Sequence, residues 1–451
     1  MMMPIHFTLS RRLIAATLIS ATALGLAACS DDEGELDTNG SEAAEEQPPA
    51  QAIPVATDFF EEQPEWSAPV PADASVFIVG EHVVWYSPIP GTIGSYDASG
   101  AEAWTEDIEP FGNLNDDGSV RADFRIVDEQ TVAVVQRGES EADGLDAGSY
   151  VFRVWLYDVA TGLSGEPVDV PGEAAGPGEY GLAFPGSDAD GEPSTYETAY
   201  TVSATGEVTE HEPIEDTLAG TPVREAPNMT VGGTPVFDIE PFVTSSEDGW
   251  SEEPEGDFGT GFGGDGWTSM DVAPPSVANG GTAAEIIAVA GDHHVLVRWF
   301  DSTATTDDET AVEVFGLVDV ASGELVTELA CEGETYTDHF TAPDAGTVDV
   351  SADGRYFVTQ DAVIDSQTGQ VHCPESDRSV VLRAVDSQGR AFGDIDVDDE
   401  DAEAVMVGVD GEATTSPTAA GVYAPVGFLE GDLAVHYDRD AGIVAANQLK
   451  V

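Results

Sequence analysis

The chain has 451 residues, 41% of them apolar, and sets 87 Asp and Glu against 14 Lys and Arg for a formal net charge of −73. That balance excludes nucleic acid as a natural partner, because phosphate contacts need a basic surface, and it opposes docking on an anionic membrane face. The acids run through the whole chain rather than gathering at one place, which reads as solvation at high salt; capture of cations or basic ligands is the alternative.

Residues 1–28 hold no Asp or Glu; Arg11 and Arg12 form a basic flank, and Leu13 to Ala28 follow as an apolar run. This is the layout of a secretory signal, too short for a comfortable membrane span. Its end, Leu26-Ala27-Ala28-Cys29, resembles the bacterial lipobox. The resemblance implies lipidation of Cys29, cleavage before it, and a mature chain held on the extracytoplasmic face of a membrane by its acyl chains. "SRRLI" at Ser10 also resembles the twin-arginine export motif, which leaves the export route open. Residues 29–57 are rich in Asp, Glu, Pro, Ala and Gln. Such a segment buries too little surface to fold and is expected to be a disordered, self-repelling tether.

From residue 58 onward the chain reads as short strands cut by Gly, Asp and Ser turns. Examples are Ser75 to Ser87, Arg125 to Arg137, Tyr150 to Val159 and His293 to Asp301. One phrase recurs: an apolar pair, Asp, two or three residues, Gly, then another strand. It occurs at Asp97, Asp158, Asp319 and Asp365, more weakly at Asp386 and Asp410, and with Ser at Ser203. Asp caps its own turn through nearby backbone N–H groups and Gly accepts a positive φ, so each phrase predicts a hairpin. Positions 158 and 203, 319 and 365, and 365 and 410 stand 45 or 46 residues apart. A repeat of that length with four strands per unit points to a β-propeller. The longer interval between 203 and 319 contains a Gly-rich acidic stretch at 245–269, read as an insertion.

"VDVSADGRYFVT" from Val348 resembles the hairpin of WD-repeat-like propellers, and "SYDASGAEAW" from Ser95 is similar to the repeat tail of pyrroloquinoline-quinone-type propellers. The expected fold is therefore all-β, a single propeller over 58–451 of about seven four-stranded blades, with six or eight as alternatives. The C-terminal hairpin suits a closing strand. Cys331 and Cys373 remain as a pair once Cys29 is set aside; in an exported chain a disulfide stapling adjacent blades is expected, against two buried thiols.

Nothing in the motifs assigns a catalytic residue, a metal or a cofactor. Stretches around Asn113–Asp117, Asp188–Asp190 and Asp394–Asp398 resemble calcium loops but each lacks a required ligand or the Gly, and they read as solvated acidic turns. His293 and His294 are adjacent, so on a strand they face opposite ways. Vicinal cysteines of the quinone-type dehydrogenases are missing from the sequence, so that activity is not carried over. Trp250, Phe258, Phe262 and Trp267 lie in the 245–269 stretch and are candidate ligand contacts, against loose packing on the blade beneath. The reading is an envelope lipoprotein whose propeller is a non-catalytic binding or scaffold module for an envelope protein, peptide or glycan. A hydrolase or lyase with carboxylates in the central funnel is the alternative. An enzyme should bring inward acids together with His or Arg at one mouth of the channel.

Overall fold

The computed structural model describes residues 52–450 apart from 90, 113–120, 140–149, 172–175, 179, 188–192, 195–196, 219–220, 242–260, 276–281, 302–312, 330–348, 360–361, 375–379, 396–402 and 418–423. Among them the strands form eight antiparallel sheets in ring order, with one extra two-stranded hairpin. Blade 1 spans 75–107, blade 2 123–171, blade 3 183–211 and blade 4 214–268. Blades 5, 6 and 7 span 282–329, 349–372 and 380–417. Blade 8 takes its three inner strands from 427–448 and its outer strand, Trp66–Pro69, from the other end of the chain.

The expectation of about seven blades is thus corrected to eight, and two local causes explain the miss. Six of the seven sequence phrases join the last two strands of blades 1, 2, 3, 5, 6 and 7, whereas Asp386 joins the first two strands of blade 7. Blade 4 has the equivalent turn compressed to Asp265–Gly266 between Gly261–Gly264 and Trp267–Thr268, with Gly266 at φ +83°. Blade 8 has no such turn, because its last two strands are the two chain ends. Residues 261–268, read from sequence as the end of an insertion, are the outer strands of a blade.

The turn chemistry follows the sequence reading closely. Asp97 Oδ1 accepts from the N–H groups of Ser99 and Ala101, Asp158 Oδ1 from Ala160 and Thr161, Asp319 Oδ1 from Ser322, and Asp365 Oδ1 from Gln367 and Thr368. Gly100, Gly162, Gly323 and Gly369 all take positive φ. Each glycine also receives the outer strand of the preceding blade. Trp66 Nε1 donates to Ala98 O, Trp104 Nε1 to Val159 O and Trp267 Nε1 to Val320 O, each carbonyl lying one residue past the capping Asp. Thr327 Oγ1 donates to Gly369 O at 2.7 Å in the same place between blades 5 and 6. A Cβ on Gly100 or Gly323 would overlap the docked indole, so glycine is required there for room as well as for φ.

Packing is radial. Middle strands are sandwiched between neighbours and are apolar on both sides; His82–Ser87 and Thr131–Glu139 show runs of five and six buried residues. Outer strands are largely exposed, as in Glu102–Asp107, where Trp104 alone is buried and the acids face outward. Seven apolar clusters are present among the described residues, each bridging two consecutive blades. The interface of blades 3 and 4 has none of these. Blade 3 has three strands, blade 4 gains a fifth strand, Ile214–Leu218, on the inner strand Thr221–Val231, and that inner strand reaches the inner strand of blade 2, Asp123–Asp128.

The ring closes through the amino-terminal segment. Trp66 pairs with Ala446 and Pro69 with Ile443. Phe60 bridges to Leu449, Asn447 Nδ2 donates to Glu61 O, and Lys450 Nζ donates to Thr57 O at 2.6 Å. Ile53, Val55 and Ala56 are buried with Phe392 and Phe428, so packed structure begins before residue 58. No helix among the described residues is long and apolar enough to cross a membrane.

Candidate functional site

The innermost strand of each blade lines the axis, so the site argument starts there. At one end of these strands the turns of several blades meet. Glu129 of blade 2 donates its N–H to Asp292 Oδ2 of blade 5 at 3.1 Å. A Cβ on Gly80 of blade 1 would lie 2.5 Å from Glu129 O, and one on Gly232 of blade 4 would overlap Asp292 O. Burial holds the Asp292 carboxyl above the usual range; repulsion from Glu129 and Asp128 adds to this, while the Glu129 N–H and nearby His293 oppose it. Asp128, Glu129, Asp292 and His293 therefore share one mouth of the ring.

Asp349 opens the inner strand of blade 6 and is enclosed by protein while keeping some solvent contact. Its Oδ2 accepts from Val385 N–H of blade 7 at 2.9 Å. Burial pushes the carboxyl up to about 7, against the pull of the N–H groups of Val385 and Val350. Protonated or charged, the group ties blade 6 to blade 7.

Other shifted acids are tied down in the same manner. Arg355 holds Asp365 down at about 2 through a hydrogen bond of 2.6 Å. Burial raises Asp386 and Asp394, and each is held by an arginine, Arg390 at 2.6 Å and Arg383 at 3.0 Å. His294 packs edge-on against Phe357 of blade 6, and burial lowers its pKa. Its neighbour His293 is exposed in the turn that precedes the strand His294–Asp301, so the two rings part because one lies off the strand.

The wall between blades 2 and 4 is different. Arg125 Nη1 donates to Phe124 O at 3.0 Å and Nη2 to Gly178 O at 3.3 Å, while its Nε is buried without a partner. Asn228 lies on the inner strand of blade 4 at a register shift between Pro227 and Met229, and its Oδ1 is buried without a partner. Sequence reasoning missed both residues. Pro227 within a strand pattern was the available signal, since proline cannot donate to a ladder and marks a bulge.

Of the residues singled out from sequence, Phe262 and Trp267 are 4% and 7% exposed and belong to the core between blades 4 and 5. They are corrected from ligand contacts to packing: short strands and a tight turn bury both rings. Trp250, Phe258, Cys29 and Cys331 lie outside the described residues. Cys373 follows the outer strand Gln370–His372 of blade 6 and packs, half-buried, on the core of blades 5 and 6. Among the calcium-like stretches, 113–118 and 188–191 lie outside the described residues, and Asp394 is paired with Arg383. Among the described residues there is no group of three or more His, Cys, Asp or Glu arranged to hold a metal ion.

No protein-family model matches the chain, and no curated protein matches it. Among solved structures it is similar to dipeptidyl peptidase 4 of Porphyromonas gingivalis, with 13% identity and a TM-score of 0.41 over 82% of this chain and 57% of that one. It is also similar to a eukaryotic initiation factor, at 14% identity and a TM-score of 0.37 over 86% and 82% of the two chains. TolB from Acinetobacter baumannii matches at 12% identity and a TM-score of 0.19 over 65% and 82%. The chain spans little more than half the length of the peptidase. At these scores the propeller assignment stands on the chain's own strand order and seam.

Proposed function

We propose that the protein is an envelope lipoprotein, fixed to the extracytoplasmic face of a membrane through lipidated Cys29 and an acidic tether, whose propeller is a non-catalytic binding or scaffold module. Its partner is an envelope protein, a peptide or a glycan. The observation that carries this reading is how the shifted carboxylates are used. Asp349, Asp365, Asp386 and Asp394 are engaged by backbone N–H groups or by arginines in joining strands and blades. A Cys331–Cys373 disulfide belongs to the same reading: the two residues follow the outer strands of adjacent blades, Glu324–Leu329 and Gln370–His372. The acid-rich surface fits solvation at high salt.

The test uses the full chain expressed with a tagged carboxyl terminus. Cys29→Ser abolishes incorporation of labelled palmitate and moves the protein out of the membrane fraction. Pull-down of envelope partners with Trp250→Ser and Phe258→Ser asks whether those aromatics contact the partner; an unchanged partner set removes them from the site. The second reading, a hydrolase or lyase, is favoured by the meeting of Asp128, Glu129, Asp292 and His293 at one mouth. Turnover of an envelope polymer that vanishes in Asp292→Asn would establish it in place of the first.

A further inference from the structure

We propose that the amino-terminal strap, residues 53–69, is an acid-sensitive latch. His436 of blade 8 is sealed beneath it as a neutral ring, and acidification below about pH 6.5, where free imidazole takes up its proton, lifts the strap and opens the propeller at its seam.

The geometry puts the imidazole where movement of the strap uncovers it. His436 is 0% exposed. It stands on the strand Leu433–Asp438, opposite Ala445 and two residues from Ala434, and both alanines belong to the apolar cluster that Ile53, Val55, Ala56, Phe59 and Phe60 cover. The Phe60 ring meets the imidazole edge-on, with centroids 4.8 Å apart and planes at 78°, and lies 5.2 Å from the ring of Phe392 on blade 7. Backbone bonds to the other chain end hold the strap down: Glu61 N–H donates to Gln448 O, Glu65 N–H to Ala446 O, and Lys450 N–H to Phe59 O. A chain-end segment opens at a lower free energy than the interior of a sheet.

Charging an enclosed imidazole forfeits the solvation that the ion has in water, so the closed strap favours the neutral ring and the lifted strap takes the proton. The open state then binds more protons below about pH 6.5, and its population rises by up to about tenfold per pH unit. The charged groups on the surrounding elements are Asp58, Glu61, Glu62 and Glu65 of the strap, Glu403 and the pairs Asp386–Arg390 and Asp394–Arg383 of blade 7, Asp432 and Asp438 of blade 8, and Lys450. Asp58 accepts from Ser416 Oγ at 2.8 Å, and Lys450 Nζ donates to Thr57 O. Burial raises Asp386 and Asp394, as it raises Asp349, so through these three acids a fall in pH strengthens the ring, with the sign opposite to that of the latch. The strap and blades 7 and 8 hold no histidine besides His436.

The latch requires neither the lipid anchor nor the partner of the reading above, and its test is independent of both. Hydrogen exchange of the full chain is followed at about pH 6.5 and about pH 5, each rate taken relative to the intrinsic rate at that pH. Protection of residues 53–69 should fall about tenfold on acidification, while the strand Thr131–Glu139 of blade 2 keeps its protection. His436→Phe, which keeps a ring against Phe60 and cannot take a proton, should hold the strap equally protected at both pH values. If that variant melts early, His436→Gln repeats the comparison. Unchanged strap protection in the wild type, the same fall in the variant, or an equal fall in Thr131–Glu139 overturns the proposal.

Discussion

Blades 5 to 7 and blades 2 to 4 are built from the same kind of strand yet differ in how they meet. In the first sector every sheet has four strands, and each interface holds one apolar cluster. Thr327 docks on the following turn in the way that the indoles do elsewhere. In the second sector, among the described residues, blade 3 has three strands, blade 4 has five, and the inner strands of blades 2 and 4 make contact. There the unpaired polar atoms of Arg125 and Asn228 are found. The contrast teaches that the ring tolerates a change of strand number where two inner strands close the gap that it leaves.

The largest effect is expected where the irregular sector docks on the regular one, at the seam of blades 4 and 5. Trp267→Ala removes a buried indole and its bond to Val320 O, and it should cost about 3–5 kcal/mol of unfolding free energy by denaturant titration. The same truncation at exposed Tyr150, in the irregular sector, should cost well under half of that. Equal losses would erase the comparison.

A smaller effect is expected from Asp349, and it depends on pH. Its folded pKa of about 7 lies above the ordinary carboxylate value of about 4. The folded protein therefore holds an extra proton between these limits, and stability falls as pH rises from about 4 to about 7, then levels off. Asp349→Asn should leave stability near unchanged at pH 4 and raise it at pH 8 by on the order of 2–4 kcal/mol. Thermal melts at the two pH values check this; a loss of stability at pH 8 would show that the charged form is the one the blades prefer.

The smallest expected effect sharpens the role of glycine. Gly233, in the turn between Thr221–Val231 and Thr234–Pro241 of blade 4, has φ +78° with open space around it, whereas Gly323 has φ +64° and an indole against it. Gly233→Ala should cost about 1 kcal/mol for backbone strain alone. Gly323→Ala adds a steric clash and should cost clearly more. Matched chemical melts would rank the two.

These particulars also mark how far the sequence could be read. The capped turns at Asp97, Asp158, Asp319 and Asp365 were legible because cap, glycine and strand are neighbours in the chain. The blade count was not, because blade 8 is assembled from residues that lie at opposite ends. Blade 4 hid its turn in a Gly-rich stretch whose aromatics looked exposed; only the fold shows Phe262 and Trp267 against Trp299 of the next blade. The contact between the inner strands of blades 2 and 4 was illegible for the same reason as the blade count. Asp123–Asp128 and Thr221–Val231 meet past an intervening blade, and no local pattern records which distant strand a ring will bring beside another.

The strand Trp66–Pro69 is both the first strand of the folded body and the rim of its last blade. Traction applied ahead of residue 52 must therefore peel residues 53–69 from blades 7 and 8, free Thr57 from Lys450 and draw Trp66 off the turn of blade 1, before blades 2 to 6 are disturbed. Mechanical opening begins where covalent continuity ends, at the one seam that hydrogen bonds and packing alone hold shut.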